Sequence, residues 1–394
     1  MEKLISRADA LAALFESWRP DIGTETVPVA DALGRVPLCA YHARHALPVV
    51  RASAMDGVAV DSARFAASAP DTASWRPGTD YVRADTGDDF DDRFDAVVRI
   101  EDVDLLPDGG LRLREGVEVR AGMNVNGAGS RLPAGAQLND AALPLRPEDL
   151  AALAMGGVET VEVRRRPRVA FIPTGSELIP PGAALRRGCN YDTNSLMARR
   201  MLEEMGAQCL PFPIVPDDPE QLRDALHRAM DAADIVLING GTSKGGEDFN
   251  TRLIAAEGSL LFHGVAAAPG RPLGVAMAAG RPLINMAGPA LAAFFTMEWF
   301  VRAVVCHALG TPVPRRETVR ARLTSPMRGG APLDVFSRAD VVREGEGLFV
   351  TPLGRGRADE AAMLRSNAML LTPAHTPDRA AGDEVEVTLL RPLV

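Results

Sequence analysis

The sequence predicts an α/β protein of several domains, with a central doubly wound parallel sheet, β-rich N-terminal modules and a small β domain at the C-terminus. From residue 168 to about 310, strand-like apolar runs alternate with helical segments, as in βαβ units. From about 35 to 130 the chain is rich in Pro, Gly and Asp with short apolar alternations, which is typical of strands and turns. After Pro312 and Pro314 the short strands and turns return until Val394.

Length and composition limit the possible functions. The chain has 394 residues, too many for one compact core. Its hydrophobic content of 46% and charged content of 24% are typical of soluble globular proteins. A net charge of −9 attracts neither nucleic acid nor an anionic membrane, so we expect neither as a partner. The four cysteines lie far apart without a Cys-x-x-Cys pair, which favours a reducing cytoplasm over a disulfide framework or a thiolate zinc site.

Two apolar segments could be mistaken for membrane-directed ones. The first twenty residues carry acidic side chains among apolar ones at helical spacing, which indicates an amphipathic helix and not a signal peptide. Its predicted apolar positions are Leu4, Ala8, Leu11 and Phe15. The run from Ala290 to Leu309 is interrupted by three polar residues, which favours a buried helix over a membrane span. These residues are Glu298, Arg302 and His307.

The remaining elements follow in chain order. Pro, acidic residues and a final Gly predict a capped helix over 147–156. A βαβ series follows. It consists of a strand over 168–172, a helix from about 195 to 206, a strand near 209–215, a helix over 219–232, a strand over 235–238 and a last helix after Gly288. In such sheets ligands bind at the carboxyl ends of the strands. We expect three loops there: Thr174-Gly175, Gly240-Gly241 and Pro269-Gly270.

The segment from Asp234 to Asp248 joins an apolar run to a glycine-rich loop. Residues 235–238 are too few for a helix and lack polar alternation, which suits a buried central strand. Glycines let the backbone approach a ligand and let N–H groups converge on an anion such as phosphate. The spacing matches neither the Walker loop nor the dinucleotide fingerprint. The alternative is a tight turn that binds nothing.

Carboxylates accompany these loops. Asp192 to Ser195 precede a long helix, where they could simply cap it, or could receive an anion at its N-terminus while Asp192 holds a sugar hydroxyl or a metal. Glu177 could begin a helix, or could contribute to a magnesium site. Asp248 is the strongest functional candidate because its loop is expected to contribute little to packing. Since carboxylates repel an anion, a divalent cation, most simply Mg²⁺, is expected between them.

The chain resembles the MoeA family, the bacterial molybdopterin molybdenumtransferases, which are similar to the gephyrin E domain. The resemblance covers nearly the whole sequence and implies an elongated homodimer with four domains, including a molybdopterin-binding α/β domain and a C-terminal β-barrel. The implied domains are 1–45 with 130–165, 46–129, 166–312 and 315–394. The motifs that carry the resemblance, in family order, are Ser53-Ala-Met-Asp-Gly57, Thr86-Gly87 before Asp95-Ala-Val-Val-x-x-Glu101, Pro173-Thr-Gly-Ser-Glu-Leu178, Tyr191-Asp-Thr-Asn194, Gly240-Gly-x-Ser-x-Gly-x-x-Asp248 and Pro269-Gly-Arg-Pro272.

The resemblance also implies a reaction and its residues. The substrates would be adenylylated molybdopterin and molybdate; Mg²⁺ would assist cleavage of the pyrophosphate, AMP would leave, and molybdenum would bind to the dithiolene sulfurs. Asp248, Glu177 and Asp192 would manage the cation, and Asp56 would reach the site from the dimer partner. A molybdopterin adenylyltransferase or a molybdoenzyme would be a further partner. The implied substrate-binding residues are Thr174, Gly175, Asp192, Asn194, Ser195, Gly240, Gly241, Ser243, Gly245, Pro269, Gly270 and Arg271.

Several departures from the family pattern concern the oxyanion. The family's Lys-Pro-Gly-Lys-Pro becomes Ala268-Pro-Gly-Arg-Pro272, its Leu-Pro-Gly-Asn-Pro-Val-Ser becomes 286–292 with Ala287-Gly288-Pro289, and its Gly-Glu-Asp becomes Gly129-Ser130-Arg131. Near Gly356-Arg-Ala-Asp359 the family's serine is missing, although Asn367 remains. Losing several donors should weaken a molybdate pocket by about a few kcal/mol, unless Arg357 or Lys244 compensates.

Two functions therefore stay open. The first is molybdenum insertion by a divergent family member, and the second is a catalytically impaired paralogue that binds or delivers molybdopterin. A third hypothesis retains only the central domain, which is similar to one in a pyridine-nucleotide deamidase family. The 53–57 motif and the C-terminal β domain argue against that third hypothesis.

Overall fold

The computed structural model describes residues 4–240, 249–330, 332–354 and 360–393. The chain divides into two compact units. The main unit comprises Met1–Thr24 and Arg164–Val394, and the inserted unit comprises Glu25–Val163.

The described residues contain eight α-helices. They are α1 (Arg7–Ser17), α2 (Pro147–Met155), α3 (Asn194–Glu204), α4 (Pro219–Ala232), α5 (Phe249–Glu257), α6 (Ala290–Thr296), α7 (Arg302–Leu309) and α8 (Glu360–Arg365).

The longest strands lie in the main unit. They are β1 (Thr24–Pro28), β2 (Ala52–Ser53), β3 (Gly57–Val60), β4 (Tyr81–Ala84), β5 (Ala96–Arg99), β6 (Val103–Leu105), β7 (Leu111–Leu113), β8 (Val125–Asn126), β9 (Thr160–Arg164), β10 (Arg168–Pro173), β11 (Leu178–Ile179), β12 (Asn190–Tyr191), β13 (Gln208–Pro211), β14 (Ile235–Asn239), β15 (Ser259–His263), β16 (Ala267–Ala268), β17 (Gly274–Ala278), β18 (Arg281–Met286), β19 (Thr318–Leu323), β20 (Asp334–Glu344), β21 (Gly347–Leu353), β22 (Ala368–Thr372) and β23 (Glu384–Leu389).

The inserted unit is β-rich, as its composition predicts. An antiparallel sheet of order β4-β3-β5 and the β6-β7 hairpin enclose an apolar core that includes Val58, Val98 and Leu111. Its one α-helix among the described residues, α2, occupies the predicted range. The Arg146 backbone N–H donates to the Asp149 carboxylate at 2.8 Å, so the first turn of this helix is capped.

The central sheet of the main unit has the order β13-β10-β14-β18-β17-β15. The first four strands are parallel, which confirms the predicted βαβ arrangement. The last two are antiparallel, an extension that the sequence patterns did not predict. All five residues of β14 are buried because α4 and α5 cover one face of the sheet and α3 and α6 cover the other.

Helix α4 shows how local sequence sets an element. Its range equals the predicted one, because Asp218 accepts a hydrogen bond from the Gln221 N–H at 2.9 Å and Pro219 occupies the first turn. The residues it buries recur at intervals of three and four, as expected for a helix on a sheet. They are Leu222, Ala225, Leu226 and Ala229.

Helix α1 also forms where predicted, but its buried face is rotated from the predicted one. Ala10, Leu14 and Trp18 are almost fully buried, whereas Ala8 is exposed. The reason is its tertiary environment: the buried Trp18 ring lies beside the His307 ring with centroids 5.7 Å apart, where α1 contacts α7.

The apolar run from Ala290 to Leu309 is a continuous helix in which α6 and α7 are joined by a π-helical segment at Met297–Val301. By length and composition it is the one described helix that could cross a membrane, yet 72% of its most apolar window is buried inside the fold. It is a core helix here, as its interrupting charges predict.

The C-terminal strands form a closed barrel. The order β20-β21-β19-β23-β22 returns to its start because β22 also pairs with β20, and β16 adds to the outside of β20. Closure leaves the five barrel strands without a free edge. This confirms the β-barrel that the family resemblance implied.

Candidate functional site

Three loops follow the central parallel strands at one edge of the sheet. Strand β10 leads into Thr174 and Gly175, β14 into Gly240, and β18 into Ala287 and Gly288. The Thr174 N–H donates to the Asn239 carbonyl at 2.9 Å, and the Gly240 N–H donates to the Met286 carbonyl at 3.1 Å. The loops are therefore joined side by side, as expected at the carboxyl edge of a parallel sheet.

Gly240 is where these loops come closest together. A Cβ atom at Gly240 would lie 2.2 Å from the Thr174 carbonyl oxygen and 2.5 Å from its Oγ1, and φ is +135°. A Cβ at Gly288 would lie 3.5 Å from the Gly240 Cα. The glycine is required here by a backbone approach that no other residue permits.

Part of the predicted site lies outside the described residues. Gly241, Ser243, Lys244, Gly245 and Asp248 all belong to this part, as does Arg357 near the barrel. Their roles stay predictions.

Glu177 does not begin a helix, because Leu178 enters β11, which pairs with β12. Its side chain is exposed and folds back over Gly175, where a Cβ atom would lie 2.8 Å from the Glu177 Oε2. Gly175 has φ +151° and is buried. The carboxylate therefore stands directly above the loop that leaves β10.

Asp192 performs the capping function that was one of its two predicted roles. Its Oδ1 accepts a hydrogen bond from the Ser195 N–H at 3.0 Å, at the start of α3. The side-chain oxygen Oγ of Ser195 is buried and has no hydrogen-bond partner. A cap and a ligand site are compatible here, since the hydroxyl still has its own hydrogen bond to give.

A cluster of four buried asparagines supports the loops, and we call Asn194, Asn239, Asn250 and Asn285 the asparagine cluster. They come from α3, β14, α5 and β18 and are between 0% and 8% exposed. The amide nitrogen of Asn194 donates to the Gly288 carbonyl at 2.6 Å and to the Asn239 Oδ1 at 2.8 Å.

The other members continue this network. The Asn239 amide donates to the Ala287 carbonyl at 2.7 Å. The Asn250 amide donates to the Gly240 carbonyl at 2.9 Å, with longer contacts of 3.4 Å to the Thr174 hydroxyl and to the Asn285 Oδ1. Sequence patterns singled out only Asn194, because the partners of the others are 10 to 76 residues away.

Of the three carboxylates predicted to bind magnesium, the structure describes two, Glu177 and Asp192. No group of three His, Cys, Asp or Glu side chains suited to a metal occurs in the part of the chain that the structure describes. Mg²⁺ is usually held by one or two carboxylates together with substrate phosphates and water, so Glu177 and Asp192 fit its chemistry without a third ligand.

The Pro269-Gly270 loop was predicted at the carboxyl end of a central strand, and this placement is wrong. It follows β16, which pairs with β20 of the barrel sheet. The loop leads into β17, whose antiparallel direction brings its first residue, Gly274, opposite Asn285 near the carboxyl edge. A Cβ at Gly270 would lie 2.9 Å from the buried Thr296 Oγ1. The Arg271 residue is exposed.

The barrel contributes a buried cation that no motif indicated. The Arg338 guanidinium, in β20, donates to the Ser366 Oγ at 2.8 Å and to the Leu364 carbonyl at 3.0 Å. It also stacks on the Phe294 ring of α6 at 4.6 Å. Burial lowers its pKa to about 10, so it stays charged at neutral pH.

Asp56, in the inserted unit, is held by the second motif of that unit. Its Oδ1 accepts hydrogen bonds from the Thr86 backbone N–H and from the Thr86 hydroxyl, both at 2.7 Å. These bonds hold the pKa of the Asp56 carboxyl below its usual value. Gly57 is required beside it, since a Cβ there would lie 2.0 Å from the Val98 carbonyl oxygen. The 53–57 and 86–87 motifs thus form one local structure.

Comparison with known families matches most of the chain in two segments. Residues 5–157 match the MoeA N-terminal region (domain I and II). Residues 170–307 match a probable molybdopterin binding domain, and this range includes the three loops and all four members of the asparagine cluster.

Curated relatives share the same description. Molybdopterin molybdenumtransferase 2 of Mycobacterium tuberculosis is 29% identical over 407 residues, covering 96% of each chain. Molybdopterin molybdenumtransferase of Staphylococcus aureus (strain Mu50 / ATCC 700699) is 30% identical over 247 residues. That match spans 62% of this chain and 59% of the relative's length.

Solved structures agree with the fold. A molybdopterin biosynthesis moeA protein from Pyrococcus horikoshii OT3 has a TM-score of 0.76 at 26% identity and covers 98% of this chain and 100% of its own. A second Pyrococcus structure, also described as a molybdopterin biosynthesis moea protein, has a TM-score of 0.80 at 24% identity, covering 99% and 100%. At 24% identity, the similarity to this second structure supports the fold alone.

Proposed function

This chain belongs to the MoeA family, and we propose that it acts in molybdenum cofactor biosynthesis by inserting molybdenum into adenylylated molybdopterin. Water cleaves the pyrophosphate bond of the substrate, so that AMP leaves and the other phosphate stays on molybdopterin. Molybdenum supplied as molybdate is bound by the two dithiolene sulfurs, and one molybdate oxygen leaves as water with the two thiol protons. The convergence of the Thr174, Gly240 and Gly288 loops at one sheet edge, inside the matched molybdopterin-binding segment, is the observation that supports this most.

Backbone and hydroxyl donors would bind the pyrophosphate. Gly175 and Gly240 have no side chain and would let the ligand approach the main chain closely, while their own N–H groups donate to the Val215 and Met286 carbonyls. The buried Ser195 Oγ, which has no partner, would donate to a phosphate oxygen at the N-terminus of α3. Gly241, Ser243 and Gly245 would complete this binding loop, and Pro269, Gly270 and Arg271 would border it.

The carboxylates would hold the cation. Glu177, Asp248 and Asp192 would bind Mg²⁺ together with the substrate phosphates, and the bound ion would neutralise charge that develops on the leaving phosphate. Glu177 is exposed above Gly175, so its carboxylate can turn toward a ligand without breaking a described hydrogen bond.

Asp56 would act from a second copy of the chain, in a homodimer. The two hydrogen bonds from Thr86 hold the pKa of its carboxyl below the usual value, so it would serve as a negative charge and not as an acid. The product would pass to a molybdoenzyme, and a molybdopterin adenylyltransferase would supply the substrate.

A second function, molybdopterin binding or delivery without insertion, is favoured by one observation. Pro289 follows Gly288 as the residue before α6, and it has no N–H and makes no side-chain cap. An oxyanion at this loop therefore meets fewer donors than an amide-bearing residue would offer.

The test is AMP release from adenylylated molybdopterin with Mg²⁺, with and without molybdate. We expect molybdate-stimulated release that is lost in Asp248→Asn and kept in Asp224→Asn, an exposed carboxylate on α4 that serves as the matched control. Substrate binding without AMP release would refute insertion and support the delivery function. Absence of binding would refute both functions.

A further inference from the structure

We infer that the asparagine cluster is a positioning device that makes the loop edge selective for a phosphate group, an inference that rests on the proposed function. Its side chains would act through the backbone and would not touch the ligand. They hold the carbonyl groups of Gly240, Ala287 and Gly288 toward the protein interior.

The consequence follows from peptide geometry. In a planar trans peptide the carbonyl and the following N–H point in opposite directions. Because the Asn239 amide holds the Ala287 carbonyl at 2.7 Å, the Gly288 N–H is directed away from the cluster. Carbonyl oxygens repel a phosphate and N–H groups attract it, so inward carbonyls make the edge suitable for an anion.

The orientation of these amides is determined by their partners. The Gly288 carbonyl can only accept, so the nitrogen of Asn194 must face it. The Asn239 Oδ1 then accepts from the same nitrogen, which leaves the Asn239 amide nitrogen for the Ala287 carbonyl. Each assignment fixes the next one.

This arrangement changes the role expected of Asn194. Both of its N–H donors are used by protein acceptors, at 2.6 Å and 2.8 Å. Its Oδ1 is buried without a partner and is an acceptor, which cannot hold a phosphate oxygen. Asn194 therefore serves the site by positioning Gly288 and not by contacting the phosphate.

Burial makes the network rigid. Asn239, Asn250 and Asn285 are 3%, 1% and 0% exposed, so water cannot replace a lost amide at low cost. Pro289, at the same edge, offers neither a cation nor an N–H donor to an oxyanion. The Gly288 N–H, which the bond from the Asn239 amide to the Ala287 carbonyl orients, must then carry more of the recognition.

The experiment compares AMP with adenosine, two ligands that differ by the phosphate alone, by titration calorimetry on the full chain. Asn250→Ala and Asn239→Ala are expected to weaken AMP binding about tenfold and adenosine binding less than twofold. Asn139→Ala is the matched control, because this asparagine is 6% exposed and bonds to two backbone carbonyls in the inserted unit. It should leave both affinities within twofold.

The outcomes separate this inference from the proposed function. If wild type binds AMP and the variants lose AMP and adenosine affinity equally, or lose neither, the positioning role is wrong while the function stands. If wild type binds neither AMP nor adenylylated molybdopterin, the proposed function and the inference are both overturned. Should an alanine variant unfold, Asn239→Leu, which nearly keeps the side-chain volume but has no N–H donor, is measured instead with the same expected loss of selectivity for AMP.

Discussion

Replacing Gly240 with alanine would test how closely the loops must pack. The added Cβ would lie 2.2 Å from the Thr174 carbonyl oxygen, about 1.2 Å inside the 3.4 Å of ordinary van der Waals contact. The carbonyl cannot simply move away, because the adjoining Thr174 N–H and the Gly240 N–H are both bonded to neighbouring strand residues. The strain must therefore be absorbed by displacing one loop from the other.

The size of the effect combines two costs. An alanine at φ +135°, outside the left-handed helical region, costs about 1–3 kcal/mol, and forcing extra volume into a packed position costs about 1–3 kcal/mol more. We expect Gly240→Ala to lower the free energy of unfolding of the main unit by about 3 kcal/mol, together with loss of AMP binding.

Gly280→Ala is the matched control. Gly280 belongs to the same sheet, in the turn between β17 and β18, and has φ +75°, but a Cβ there would meet nothing within 4 Å. It should incur only the conformational cost of about 1–2 kcal/mol and keep AMP binding. Urea unfolding with linear extrapolation gives both values. Equal destabilisation by the two substitutions, or unchanged AMP affinity in Gly240→Ala, would refute the argument from close approach.

Three further predictions concern the ionisable groups. Burial alone would raise the pKa of Glu298, but hydrogen bonds from Arg316 and Arg302 hold it below the usual value. The stabilisation from this ionised carboxylate is therefore present above about pH 4.3 and is lost as the pH falls. Glu298→Gln should lower the free energy of unfolding by about 3 kcal/mol at pH 7 and should flatten the acid limb of the stability curve measured by urea unfolding. Thr86→Val should raise the pKa of Asp56 toward its usual value, since one of two hydrogen bonds is lost, and an unchanged carboxyl ¹³C titration would contradict this. Burial raises the pKa of Cys209 to about 11, so its alkylation by iodoacetamide, followed by mass spectrometry, should keep accelerating above pH 9; a plateau there would contradict it.

Local patterns in the sequence determine several elements almost completely. Helix α4 has the range 219–232 because its cap and its apolar spacing are local. Strand β14 is recognisable because a buried parallel strand needs an unbroken apolar run, and the glycine after it marks the close approach at Thr174. The motifs also indicated the family, since their order is a property of the chain and not of its folding.

Other features depend on which segments meet. Pro269-Gly270 lies before the start of β17 and not at the expected strand end, because the hairpin β17-β18 extends the sheet in the antiparallel direction. The direction of a strand is decided by its pairing and not by its composition. The rotation of the buried face of α1 likewise comes from its contact with His307, which is about 290 residues away.

By itself, then, the sequence determined the α/β class, the positions of the strands and helices around the glycine loop, and the family. Only the tertiary structure decided that the side-chain amides of the asparagine cluster meet beneath the loops and hold the backbone carbonyls of the loops inward. The physical reason is that apolar period, caps and turns act within a few residues of one another. A buried amide, in contrast, is stable only where distant strands bring it an acceptor.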